Sequence, residues 1–268
     1  MMHFEIFLCC LKALILSNNK ARTIMKKEVL FDNGDIQWTV LARDPEKPNA
    51  IIDTNEYIIQ AGDESMLLDP GGMEIFPSVL SNVSEVIELS TIKAYLCSHQ
   101  DPDIMSSLPM WMALTPHARV YVSWLWNDFI AHFGYKYSDN LYGVPDEGMD
   151  IRLGNRHFQL VPAHYLHSSG NFHLFDPVSK ILFSGDIGGA LLPLDADLYV
   201  SDFTAHIPYM KKFHQRWMPS DKAKSIWLER VRKLGVEMMC PQHGAIFQGE
   251  KVTQFFDWFD RLEVGKTQ

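Results

Sequence analysis

From Met25 onward, apolar residues fall into short β-rich runs separated by turn formers. Residues 28–44 (EVLFDNGDIQWTVLARD) hold two such runs around Asp32-Asn33-Gly34-Asp35, which predicts a hairpin. A second pair, AIIDTNEYIIQAG and SMLLDPGG, repeats the arrangement around Gly62-Asp63-Glu64. Over residues 75–89 the period changes: Ile75, Val79, Leu80, Val83, Val86 and Ile87 recur at helical spacing, and IKAYLCS is then a short buried strand running into His99. Helical intervals return over 105–114, where Met105, Met110 and Met112 read as core filler, and over 124–133, where Trp124, Trp126, Phe129 and Phe133 read as one core face. HFQLVPA, NFHLFDP and KILFSGD predict three more strands, 220–234 the clearest amphipathic helix, and VEMMCPQHG a last strand that delivers His243 to a loop. Two runs of strands, each followed by helices, with His and Asp at strand ends, predict an α/β fold of two sheets sandwiched by helices.

Composition narrows the functional classes. The apolar fraction is 47%, with no repeat or low-complexity run, as expected of a packed globule; 268 residues suffice for one large α/β domain. The formal charge of −9 argues against nucleic-acid binding, and the densest basic stretches, 211–216 and 222–233, carry acidic and apolar residues at the spacing of a solvated helix face. The four cysteines have no C-x-x-C spacing, so a reducing, cytoplasmic compartment is expected and thiolate-held zinc is not. The apolar run at 4–16 (FEIFLCCLKALIL) is too short to span a bilayer and has no basic residues before it. Residues 1–24 are therefore expected to be an upstream extension of the reading frame, with a cleaved signal or a loose amphipathic helix as the other readings, and 25–268 the folded domain. No G-x-G-x-x-G or Walker loop is present.

The chemistry concentrates in Ser98-His99-Gln100-Asp101-Pro102-Asp103-Ile104. In an extended loop, alternation would project His99, Asp101 and Asp103 to one side, with Pro102 stiffening the turn. Three more metal-binding residue types follow at predicted strand ends: His167, Asp186 in Ser184-Gly185-Asp186, and His243 in Gln242-His243-Gly244. Glycine beside Asp186 and His243 would allow tight turns at a crowded site.

This order of residues resembles the metallo-β-lactamase superfamily, and within it the diiron branch of flavodiiron and stand-alone oxygen-binding diiron proteins. Hydrolases of the superfamily write the first loop H-x-H-x-D-H and the diiron branch H-x-E-x-D-H; this chain reads His99-x-Asp101-x-Asp103-Ile104. The likeness covers roughly residues 28 to 262, including the stretch 213–219 (FHQRWMP). It implies an αββα sandwich of two mixed sheets and a dinuclear site: one metal on His99, Asp101 and His167, the other on Asp103 and His243, with Asp186 bridging. Ile104 stands where both branches usually have a histidine, so the second metal is expected to have an open position. Three carboxylates and three imidazoles form a harder donor set than a zinc hydrolase site and suit two iron ions, manganese or zinc being the substitutes.

The resemblance further implies a protein that binds O2 or another diatomic, either as an oxygen or redox sensor with a signalling partner, or as an O2/NO reductase fed by an external flavoprotein or rubredoxin. No FMN site is expected, since the chain ends at Gln268 without room for a flavin domain. A homodimer fits the pattern of such relatives. The alternative is a metal-dependent hydrolase of a thioester, lactone or phosphodiester, against which Asp101 and Ile104 both count. Three residues near the loop read two ways: His164 as a donor facing the site or a packed side chain, and Ser168 and Asn171 as partners of metal-bound oxygen or ordinary turn formers. His3, His117, His132, His157, His173 and His206 read as surface or core histidines.

Overall fold

The computed structural model describes residues 25–44, 47, 51–134, 140–193 and 195–266; the extension at 1–24 lies outside them. The described residues form two sheets. The first holds β1 (Lys26–Asp32), β2 (Ile36–Ala42), β3 (Asn55–Ala61), β4 (Glu64–Leu68), β5 (Ile92–Leu96), β6 (Arg119–Ser123) and β7 (Leu141–Val144) in chain order. Pairing is antiparallel from β1 to β4 and parallel from β4 to β7. The second sheet runs β13 (Phe247–Gln248), β12 (Met238–Pro241), β11 (Ile181–Gly185), β10 (Phe172–Phe175), β9 (Arg156–Pro162), β8 (Met149–Leu153).

Alternation along the strands explains the layering, because successive side chains point to opposite faces. In β3, Tyr57 and Ile59 enter the core between the sheets while Ile58 enters the outer one; in β4, Met66 and Leu68 go inward and Leu67 outward. Both faces are covered, so these strands read as nearly continuous apolar runs. The outer face of the first sheet carries α1 (Phe76–Val86), α2 (Pro102–Met105) and α3 (Leu108–Leu114), with Phe76 edge-on to Trp111. The second sheet is covered by α5 (Phe203–Trp217), α6 (Asp221–Arg232) and α7 (Glu250–Arg261), and α4 is the single turn Asn127–Ile130. Asp202 and Ser220 cap α5 and α6 by accepting the amides of Ala205 and Ala223 at 3.1 Å each. The result is the αββα sandwich of two mixed sheets.

Two expectations need correction. Residues 124–133 form no continuous helix but two 3-10 turns flanking α4; Trp126 and Phe133 pack on the outer core of the first sheet as expected, whereas Trp124 and Phe129 are exposed, so the four do not make one core face. The basic face at 222–233 is not wholly solvated: Lys224 is buried, with its ammonium on Asp221 and the Leu262 carbonyl. Met105, Met110 and Met112 do pack in the outer core of the first sheet. Among the described residues no helix is long and apolar enough to cross a membrane.

Candidate metal centre

β9, β11 and β12 run in the same direction, since β10 is antiparallel to both β9 and β11 while β11 and β12 are parallel. Their carboxyl ends, together with that of β5, therefore open onto one edge of the sandwich. That edge gathers all six sequence-selected residues. His99 follows β5, His167 lies in the turn after β9, Asp186 immediately follows β11, and His243 follows β12.

Asp186 sits at the centre. Its Oδ2 lies 2.8 Å from His167 Nε2 and 3.9 Å from His99 Nε2, while Oδ1 lies 3.5 Å from His243 Nε2. Asp101 Oδ2 approaches His167 and His99 Nε2 at 3.4 and 3.5 Å, and Asp103 Oδ2 approaches His243 Nε2 at 3.3 Å. Two donor groups thus share one carboxylate, one oxygen each. Donor atoms of His99, His167 and Asp186 all lie within 4.8 Å of one another.

The outer nitrogens of two imidazoles are already occupied. His99 Nδ1 donates to Ser98 Oγ at 2.9 Å, and Ser98 donates from Oγ and from its backbone N to the two oxygens of Asp69, at 2.7 Å each. His243 Nδ1 donates to the Asp53 carbonyl at 2.6 Å. Each ring therefore presents Nε2 to the site, and His99 Nε2 and Asp186 Oδ1 are buried there without a hydrogen-bond partner. Buried polar atoms of this kind call for a partner, and a cation beside each of them would supply it. The six residues fit a pair of metal ions.

Electrostatics support that fit. Burial would depress the His99 imidazole, but Asp186, Asp101 and Asp69 outweigh it and hold it at about 9. Burial likewise opposes His243, which Asp186 and Asp103 hold at about 9. The Asp186 carboxyl, which burial alone would raise, is kept below the usual range by His243, His99 and His167. Asp69, fully buried, is pushed up to about 7 by desolvation against the pull of His99 and Ser98.

The loop geometry differs from the expected extended alternation. Asp101 ends the extended segment and Asp103 lies in the first turn of α2. A helical residue is rotated about 100° from its predecessor, so Ile104 turns away from Asp103 and packs, fully buried, in the outer core of the first sheet. Position 104 therefore does not face the second donor group. Ile104→His should strand a ring in apolar surroundings, lowering stability by about 1–3 kcal/mol, with no gain in metal affinity; calorimetric unfolding beside a metal titration checks this, and tighter binding would refute the placement.

The flanking residues also resolve. His164 Nε2 meets the Asp146 carbonyl at 2.7 Å and its ring packs on Phe172, so it is a packed side chain rather than a donor to the site. Asn171 donates to the Leu166 carbonyl and shapes the turn. Ser168 does neither job alone: its Oγ donates to Gln100 and accepts from the Gly170 amide. Sequence reasoning missed Asp69, Ser98 and His214. The last, neutral and lowered to about 4 by burial, accepts the Gly188 amide at 3.0 Å and so braces the turn beyond Asp186. A cleft of about 330 Å³ opens over the site, with Ile51, Ile52, Phe213 and Trp217 as its apolar lining; the Trp217 ring stands edge-on to His167 at 5.4 Å.

The family model described as ODP family beta lactamase matches residues 52–244. The chain belongs to this family. A solved structure described as a peroxy diiron species of chemotaxis sensor ODP is 36% identical with a TM-score of 0.80, covering 90% of this chain and 97% of that one. A structure described as the apo state of chemotaxis sensor ODP from T. denticola gives 36% and 0.78, over 90% and 96%. Rubredoxin oxygen:oxidoreductase from Desulfovibrio gigas, at 20% identity and a TM-score of 0.75 over 87% of this chain and 61% of that one, shares the fold. Diflavin flavoprotein A 1 of Synechocystis is 22% identical over 209 residues, 76% of this chain. The chain spans only 36% of that relative's length and 54% of an uncharacterized Methanocaldococcus jannaschii relative. The ODP family thus places the chain in the diiron branch of the metallo-β-lactamase superfamily.

Proposed function

We propose that this chain is a non-haem diiron protein that binds dioxygen and serves as an oxygen or redox sensor. The observation that carries the reading is the division of Asp186, whose Oδ2 faces His167 and His99 while Oδ1 faces His243. One carboxylate shared this way offsets charge on two cations. His99, Asp101 and His167 would complete one position, Asp103 and His243 the other. The mixed imidazole and carboxylate set suits non-haem iron over zinc, with manganese as the substitute. Held there as ferrous ions, such a pair would supply reducing electrons for binding a diatomic ligand.

The protein's own residues do the rest. Asp69 and Ser98 orient His99, the Asp53 carbonyl orients His243, and Phe213 and Trp217 give the cleft an apolar wall. Asp101 and Asp103 are the more open donors, at 29% and 27% side-chain exposure, so a small ligand reaches the site past them. The sensor reading is supported by 36% identity, over nearly the full length of both chains, to a protein described as a chemotaxis sensor.

Anaerobic reconstitution with Fe(II), iron analysis and then exposure to O2 under a visible spectrometer test this. About two iron ions per chain, as a bridged pair requires, and a new absorption that persists support sensing. Rapid loss of that absorption on adding a reductant would instead make the protein a reductase served by an external electron donor. No spectral change, beside esterase activity, would make it a hydrolase.

A further inference from the structure

The two carboxylates that follow His99 each have two oxygens, and their surroundings treat them differently. Asp101 turns Oδ2 toward the imidazoles, 3.4 Å from His167 and 3.5 Å from His99. Its other oxygen, Oδ1, accepts a hydrogen bond from Gln100 Nε2 at 3.1 Å. That amide is fixed in turn, because the buried Ser168 donates from Oγ to Gln100 Oε1 at 2.6 Å. Ser168 belongs to the turn that carries His167, so this chain of contacts joins the loops of both sheets. Asp103 has nothing equivalent. Gln242 Nε2 lies 3.5 Å from its Oδ2, the oxygen that already faces His243 at 3.3 Å, and among the described residues no hydrogen bond holds Oδ1.

We propose that Gln100, held by Ser168, is a positioning residue that limits Asp101 to one donor oxygen, while Asp103 stays free to offer one or both. This rests on the two-metal reading of the site. An aspartate at 101 turns about only two side-chain bonds, so holding one oxygen with an oriented amide decides which oxygen points inward. The position served by His99, Asp101 and His167 is thereby rigid. The position served by Asp103 and His243, with fewer donors, is the one that can exchange a carboxylate oxygen for an incoming ligand.

Cobalt(II) alone is the probe, since the strength of its visible bands falls as its coordination number rises. Gln100→Leu should weaken cobalt binding at one of two positions by roughly 10- to 100-fold, the usual effect of removing an outer partner of a ligand. At full occupancy it should also weaken the visible bands, as Asp101 turns its second oxygen onto the ion. Gln100→Glu, which sets a carboxylate against Oδ1, should weaken binding at least as much. Ser168→Ala should act in the same direction more mildly, and the double variant should match Gln100→Leu within about twofold, because Ser168 acts through Gln100. Unfolding of the metal-free variants confirms that they fold. Wild-type affinity and bands in Gln100→Leu overturn the inference, as does weaker binding with unaltered bands at saturation. A wild-type protein that binds a single cobalt overturns the two-metal reading itself, which separates the two failures.

Discussion

Asp186→Asn, purified and reconstituted without air, is expected to hold less than one iron per chain where the wild type holds about two, a shared carboxylate being what keeps a metal pair together. The substitution preserves shape but removes the charge and replaces one of the two donor oxygens by an amide NH2, at a buried point where three imidazoles converge. Losing an outer partner of a ligand costs roughly 10- to 100-fold in metal affinity, and losing a direct shared donor should exceed that range. Both positions should fail together, because Oδ2 serves one and Oδ1 the other. Metal analysis after equilibration at fixed free Fe(II) gives the answer. Two tightly held ions in the variant would remove Asp186 from the bridge.

The second large effect is on pH. In the metal-free protein His99 and His243 are held at about 9, so both are imidazolium at neutral pH. An incoming ion has to displace those protons, which gives release of about two protons per pair of ions at pH 7. Between pH 7 and 9 the apparent affinity of each position should climb about tenfold per unit. Titration calorimetry in two buffers of different protonation enthalpy measures the proton count; no release and a flat affinity would contradict it. Stability of the metal-free protein runs the other way. A histidine whose folded value is raised contributes stability that is fully present below about 6.5 and is lost as pH rises through about 9. The gain in melting temperature on adding metal should therefore widen as pH rises over that window.

Much of this architecture was legible because the chemistry sits at the ends of strongly patterned strands. β2 to β5 alternate between two cores, and apolar runs such as YII and MLL carry that signal. β7 and β8 escaped because they are short and mostly exposed, with burial confined to Val144 in one and to Ile151 and Leu153 in the other. The helix α5 hid differently. Its buried positions Phe203, His206, Met210 and His214 have helical spacing, but two are histidines and Pro208 interrupts them, so an apolar period is hard to see. The six proposed ligands were visible as residue types at predicted strand ends. Their outer partners were not, since Asp69 and Ser98 meet only once β4 and β5 pair, and Gln100 meets Ser168 only once the two sheets close.

His99, Asp101 and Asp103 come from the half of the chain that builds the first sheet, and His167, Asp186 and His243 from the half that builds the second. Each proposed ion would take donors from both halves, and so would act as a rivet through one rim of the sandwich. Occupancy of the rivet would then bear on how tightly that rim is clamped, since each ion would tie a loop of one sheet to a loop of the other.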